Sequence, residues 1–511
     1  MLARTWSAAL VGIDAVKVGV EVDVGGGLPG ITVVGLPDSA VQEARERVKA
    51  ALKNSGYVVP MRRVIVNLTP ADLRKEGPSF DLPISVGVLA ASEQVSLALL
   101  EDHLFLGELS LDGSLRAIAG VLPIAAAAQA LGIKALVVPA ANAEEAALVA
   151  GLKVYGLRTL SEVGNFLNNP THVQPTPTQG PDVLQRRDRA TLDLRDVKGQ
   201  AHARRALEIA AAGGHNLCFV GPPGSGKTML ARRLPGILPP LSFAEALEVT
   251  QVYSVSGLLK EKGSLVCDRP FRSPHHSASG PSLVGGGSYP RPGEVSLAHR
   301  GILFLDELTE FKRDVLEYLR QPLEDGSVTI SRARQSVMFP AQFTLIASTN
   351  PCPCGFFGDT VQVCTCTPRQ RESYWAKLSG PLMDRIDLQV AVNRLQPEEM
   401  TQQALTGEAS ERVRDRVQAA RNRAQVRFTL EPAVNCNAEM QSHHLRQWCQ
   451  FDEATRMILE GAIRKLGLSA RGTDRILKVA RTIADLEGAE TLQTNHVAEA
   501  IQYRTIDRRV V

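Results

Sequence analysis

The chain has 511 residues, too many for one hydrophobic core, and at about 150 residues per domain it predicts about three domains. Hydrophobic residues make up 44% and charged residues 22%, ordinary for a soluble globular protein. A net charge of +3 and a pI of 8.4 fall short of the pI above ~9 that marks a strongly basic nucleic-acid-binding domain, so any basic surface is local. No apolar run approaches the ~18 residues of a membrane span.

The first residues, "MLARTWSAALVGIDAVKVGVEVDV", have the look of a secretory leader. Asp14 and Lys17 interrupt the apolar run, and period-two alternation follows, which predicts mature protein and a cytoplasmic setting. "VKVGVEVDV" predicts a strand, and "SAVQEARERVKAALKNSG" an amphipathic helix stopped at Gly56. "RRVIVNLTP" and "KALVVPA" predict short strands, and "VLPIAAAAQALG" a helix ending at Gly132. Residues 1–168 thus form a first α/β domain. Residues 169–190, rich in Pro, Thr, Gln and Asn without periodicity, predict a linker, with a structured surface loop as the alternative. From 191 to 395 the apolar runs "HNLCFVG", "GILFLDE" and "QFTLIAS" alternate with helical patterns, which predicts a mostly parallel sheet. Residues 396–511 read as helical.

"GPPGSGKT", running Gly221, Pro222, Pro223, Gly224, Ser225, Gly226, Lys227 and Thr228, matches the phosphate-loop pattern G-x-x-x-x-G-K-[ST] completely. It lies between a predicted strand and a predicted helix, the context the motif requires. Glycines let backbone N–H groups curl around phosphate oxygens. Lys227 is expected to reach the β and γ phosphates of ATP, and Thr228 to offer its hydroxyl to Mg²⁺. Asp306 and Glu307 end the strand "GILFLDE". Asp306 would join the Mg²⁺ shell and Glu307 would polarise the attacking water. Asn350, at the end of "FTLIASTN", would orient that water.

Eight cysteines are present, and four of them fall in two C-x-C pairs: Cys352 with Cys354, and Cys364 with Cys366. In a reducing compartment such a cluster favours metal over disulfide. Four thiolates close a tetrahedral structural Zn²⁺ site. A metal-free reduced loop and regulatory disulfides are the alternatives. Cys218 is expected to be core packing, and Cys267, Cys436 and Cys449 show no ligand spacing. His275 and His276 are adjacent and are expected to point apart, as loop residues.

The order of phosphate loop, acidic strand end, asparagine-ended strand and helical region resembles an AAA+ ATPase. "GLPDSAVQEARERVKAAL", "FRSPHHSAS", "LRQPLEDG", "NPCPCG" and "SGPLMDRIDL" narrow the resemblance to the magnesium-chelatase-like branch and, within it, to the ComM (YifB) family. That resemblance implies a homo-oligomeric ring, a hexamer, with a helical lid. It implies that Arg385 is an arginine finger acting on the neighbouring subunit's ATP, and that Arg471 is the sensor-2 arginine of the lid. It also implies ATP-driven branch migration and helicase action on single-stranded and branched DNA during natural transformation. A chelatase-like motor subunit and a protein-remodelling ATPase are the alternatives. In related rings a hairpin such as "EDGSVTISRARQSVMFPAQF" projects towards the pore, where Arg332 and Arg334 would hold a phosphate backbone. "LRKEGPSFDLPI" resembles the nucleophile loop of Lon-type proteases, with Ser79 at the serine position. The segment 107–139 resembles the stretch that carries the Lon lysine, but Leu122 stands there and Lys134 is the nearest lysine. A serine without its base is a weak nucleophile, so the resemblance implies a Lon-like fold without peptidase activity.

Overall fold

The computed structural model describes residues 1–186, 192–259, 265–287, 290–332, 335–395, 407–431 and 434–504. The chain divides into two compact units. The first is Met1–Arg187 with Ser242–Cys267 and Ser331–Phe339; the second is Asp188–Leu241 with Asp268–Ile330 and Pro340–Val511.

The first unit is built on a seven-stranded sheet. Its order is Gly30–Val34, Arg63–Thr69, Asp14–Gly25, Leu2–Val11, His103–Phe105, Ala135–Pro139 and Lys153–Leu157. Leu2–Val11 and Asp14–Gly25 form a long antiparallel hairpin, and Leu2–Val11 runs parallel to His103–Phe105. The predicted alternation is present: Val18, Val20 and Val22 are fully buried on one face, while Asp23 is exposed. The predicted amphipathic helix spans Ser39–Asn54 and buries Val41, Ala44, Val48, Ala51 and Leu52. Asp38 caps it, accepting the Val41 N–H at 2.8 Å. The proline-rich stretch after Asn168 is laid along this unit. Thr176 N–H donates to the Val154 carbonyl at 2.7 Å, and Gln179 N–H to that of Ala147 at 3.1 Å.

The second unit is built on a five-stranded parallel sheet. Its order is Phe271–Arg272, Ile302–Leu305, Thr344–Thr349, Leu217–Val220 and Leu388–Ala391. Leu217–Val220 and Ile302–Leu305 are buried along their whole length, as strands covered on both faces are. The C-terminal helices Ser410–Arg427 and Ala470–Glu487 share one core with the sheet, bringing Val417, Val479 and Ile483 against residues such as Phe219 and Val390. A buried polar knot supports that core. The Asp387 carboxylate accepts from Arg475, from the His215 ring at 3.3 Å and from the Asn216 N–H at 3.2 Å.

Candidate functional site: a phosphate loop, a paired-arginine cluster and a four-cysteine knuckle

In an open parallel sheet, the carboxyl ends of the strands are where ligands bind. Three neighbouring strands of the second unit end in the predicted residues. Leu217–Val220 runs into Gly221–Thr228, Ile302–Leu305 into Asp306 and Glu307, and Thr344–Thr349 into Asn350. Gly226 turns the chain into the helix Lys227–Ala231 at φ +92°, a conformation that suits glycine. A side chain at Gly221 would meet the Val392 carbonyl at 2.1 Å.

The Lys227 ammonium is buried, and all three of its donors are engaged. It donates to the carbonyls of Gly221 at 2.7 Å and Pro222 at 2.9 Å, and to Asn350 Oδ1 at 3.2 Å. Burial lowers its pKa, opposed by the nearby Asp306 and Glu307 carboxylates. Thr228 Oγ1 donates to Asp306 Oδ2 at 2.8 Å, so the two predicted Mg²⁺ ligands already touch. Ser348 Oγ holds the other oxygen of Asp306. Ser225 Oγ, inside the loop, is buried without a hydrogen-bond partner among the described residues. Buried polar groups are nearly always paired, so an orphaned hydroxyl here fits a loop shaped for phosphate oxygens.

Glu307 sits at φ +53°, in the left-handed region, which is uncommon for a residue other than glycine. Its carboxylate is 3.4 Å from His276 Nδ1. This corrects the expectation that His275 and His276 point apart. A turn closed by Ala278 N–H on the His275 carbonyl brings the two rings to 4.0 Å. His275 is tied to Ser277 Oγ at 2.8 Å, and His276 stands edge-on to Phe311. His276 is therefore a neighbour of the proposed catalytic carboxylate that the sequence reading missed.

Arg385 makes its contacts elsewhere. It is 7% exposed, donates to the Pro381 carbonyl at 2.7 Å and pairs with Glu324. Arg471 is largely exposed and lies 3.8 Å from the same Glu324 carboxylate. The two arginines come together with each other and not with the phosphate loop. Arg332 ends the strand Ser327–Arg332, but its side chain and all of Arg334 lie outside the described residues.

The four cysteine sulfurs converge within 4.8 Å of one another. Cys352 Sγ is 3.3 Å from that of Cys354 and 3.7 Å from that of Cys364, and Cys354 and Cys364 are 3.6 Å apart. Thiolates on a tetrahedral ion with Zn–S near 2.3 Å would stand about 3.8 Å apart. Backbone N–H groups of Cys354, Phe357 and Cys366 point at the sulfurs of Cys366, Cys352 and Cys364, the donors a thiolate cluster needs. Burial pushes the Cys352 thiol up to about 12. For Cys354, burial also acts upward, but the N–H groups of Phe356 and Thr365 outweigh it and bring the thiol down to about 6. These residues fit Zn²⁺. The loop also abuts the phosphate loop: a Cβ on Gly355 would lie 2.8 Å from Pro223 Cδ. Glu431, His443 and His444 form another group close enough for metal. His444 Nδ1, however, accepts the Gln441 N–H at 3.0 Å. That leaves the proton of the neutral ring on Nε2, the atom facing Glu431, so it has no lone pair to offer an ion.

Three family models match the chain. "Subunit ChlI of Mg-chelatase" covers residues 20–142, "Magnesium chelatase, subunit ChlI" covers 193–400, and "Magnesium chelatase, subunit ChlI C-terminal" covers 407–504. With a phosphate-loop strand flanked by parallel neighbours ending in an acidic pair and an asparagine, they define the class: a magnesium-chelatase-type AAA+ protein. Competence protein ComM of Haemophilus influenzae is 45% identical over 511 residues, covering 99% of this chain and 98% of its own. YifB of Escherichia coli is 44% identical over 511 residues, covering 100% of this chain and 98% of its own. The chain belongs to the ComM/YifB family. The 38 kDa magnesium-chelatase subunit of Cereibacter sphaeroides is 25% identical over 171 residues, covering 30% of this chain and 51% of its own. Among the described residues no helix is long and apolar enough to cross a membrane.

Proposed function

We propose that the chain hydrolyses ATP as a subunit of a hexameric ring and uses that turnover to move single-stranded and branched DNA, by branch migration with helicase action, in natural transformation and recombination. The observation that carries this reading is the grouping of Lys227, Thr228, Asp306 and Asn350 at adjacent strand ends, in a chain similar over its whole length to a competence protein.

In this reading Lys227 exchanges its carbonyl partners for the phosphate oxygens of ATP, and Ser225 supplies a further donor. Thr228 and Asp306 would hold Mg²⁺, which when bound neutralises charge on the phosphates. Glu307 accepts the proton of the attacking water, and Asn350 holds that water in line. Arg385 of the adjoining copy meets the charge that develops on the transferred phosphoryl group, and Arg471 acts with it. A hairpin carrying Arg332 and Arg334 contacts the DNA backbone.

The proposed domains are a Lon-like module over 1–168, a linker over 169–190, an ATPase core over 191–395 and a helical lid over 396–511. The Lon-like module has no peptidase activity. Leu122 is fully buried with its N–H on Glu145, and Lys134 is paired with Asp102 at 2.9 Å, so neither serves Ser79 as a base. The work is cytoplasmic. A chelatase role has less support, since the 38 kDa chelatase subunit is 25% identical over 30% of the chain, against 45% over 99% for the competence protein. Titration of ATP turnover with defined DNA structures tests the proposal.

Cys352, Cys354, Cys364 and Cys366 hold one structural Zn²⁺ that folds a loop with no core of its own. Metal analysis of the purified protein is expected to find close to one zinc per chain, lost when Cys352 and Cys364 are changed to serine. Protein free of zinc would rule the site out.

A further inference from the structure

We infer that Glu324 is a positioning residue that sets the Arg385–Arg471 pair as one unit facing the neighbouring subunit's nucleotide. The inference rests on the ATPase reading above. Glu324 closes the helix Arg320–Asp325, which Gly326 stops at φ +65°. Its two oxygens serve two different guanidinium groups. Oε2 takes Arg385 Nη2, and Oε1 faces Arg471 Nη2 at 3.8 Å.

Two guanidinium groups aimed at one anion repel each other. A carboxylate between them removes most of that repulsion and leaves the trio with a charge of +1, still attractive to phosphate. Arg320, on the same helix as Glu324, is paired with Glu317 at 2.8 Å. Arg385 is held at both ends, by Pro381 and Glu324, in a side chain 9% exposed. Its Nε has no hydrogen-bond partner among the described residues. The Nε is itself buried and both Nη groups are engaged, so Glu324 fixes the guanidinium in place, and a nucleotide brought by another copy of the chain would take the place of one of these partners. Arg471 is 71% exposed and, among the described residues, pairs with the Glu324 carboxylate alone.

Removing such a support misplaces both groups without touching the nucleotide's own pocket, and a shift of about 1 Å can cost on the order of 10²-fold in rate. Glu324→Ala is expected to lower kcat by about 10- to 100-fold with nucleotide affinity unchanged. Glu324→Gln keeps the shape and loses the charge, and should fall between Glu324→Ala and the unaltered protein.

The deciding measurement mixes protomers. Glu324→Ala protomers, with an intact phosphate loop, are combined with Lys227→Ala protomers, which have an intact arginine face. Turnover should rise above that of either alone, because each intact loop can then meet an intact arginine pair. Arg385→Ala is mixed in parallel as the control. If Arg385→Ala is inactive alone and rescued while Glu324→Ala keeps full turnover, the role given to Glu324 is wrong and the ATPase reading stands. If both Glu324 variants are inactive and not rescued, Glu324 acts in its own pocket or in folding, and the inference is again wrong. If Arg385→Ala itself turns over fully, the reading on which the inference rests fails first.

Discussion

Arg385→Ala is expected to lower ATP turnover by about 10³-fold or more while nucleotide affinity stays within about twofold, because a finger delivered between subunits contributes on the order of 10³–10⁵ in rate. The size follows from the chemistry it faces. Charge spreads over the oxygens of the transferring phosphoryl group, and a guanidinium meets it more strongly in a site closed to water than in bulk solvent. The unchanged affinity follows from placement. Arg385 binds Pro381 and Glu324 and makes no contact with Lys227, Thr228 or Asp306. Folding should survive, because the Glu324 side chain left behind is 55% exposed and stays hydrated. Single-turnover hydrolysis and nucleotide titration on the same preparation check both halves. Full turnover would reduce Arg385 to a structural ion pair.

The second large effect concerns Asp387. It is buried among Arg475, His215 and Asn216. Burial by itself raises its pKa, but the Arg475 guanidinium and the His215 ring overcome that and hold the carboxyl well below the usual range. Asp387→Ala removes the acceptor of Arg475 and of His215 Nδ1, while the ring keeps Thr482 at 2.8 Å, and is expected to cost about 3–5 kcal/mol, the usual penalty for breaking a buried pair. A carboxylate with a depressed folded-state pKa gives stability that is present above its unfolded value near 3.9 and is lost as pH falls below it. Urea unfolding of the two proteins should therefore differ most above about pH 5, and the gap should narrow as pH falls through about 4. A gap that holds constant down to about pH 2 would show that the carboxylate charge is not what stabilises the knot.

The buried strands of the second unit were legible because each is a short apolar run ended by a turn signal or by a charged pair. Leu217–Val220 and Ile302–Leu305 carry four buried residues each, the pattern of a sheet covered on both faces. The phosphate loop was legible because its glycines and its lysine have fixed chemical reasons to stand where they do. Leu2–Val11 was harder to see. It buries small polar residues along with alanines, and Thr5 reaches the Pro83 carbonyl at 3.0 Å, so hydrophobic alternation alone does not mark it. The pairing of His275 with His276 was missed because neighbours on an extended chain diverge, whereas these two ride a turn. Proline content predicts a linker after Asn168, with a structured surface loop as the alternative, and backbone donors of Thr176 and Gln179 find carbonyls on the first unit. The sharing of Glu324 by Arg385 and Arg471 joins positions far apart in the chain, and no local pattern announces it. The sulfurs of the first C-x-C pair approach closely because a turn closed by Gly355 N–H on the Cys352 carbonyl folds the pair back on itself.

The proposed ATPase is expected to work on DNA. The most direct test is ATP turnover titrated with single-stranded, duplex and four-way-junction DNA of equal nucleotide content, with Lys227→Ala as the inactive control. Saturable stimulation is expected, strongest for single-stranded or junction DNA and weakest for plain duplex. Turnover that none of the three changes would contradict it.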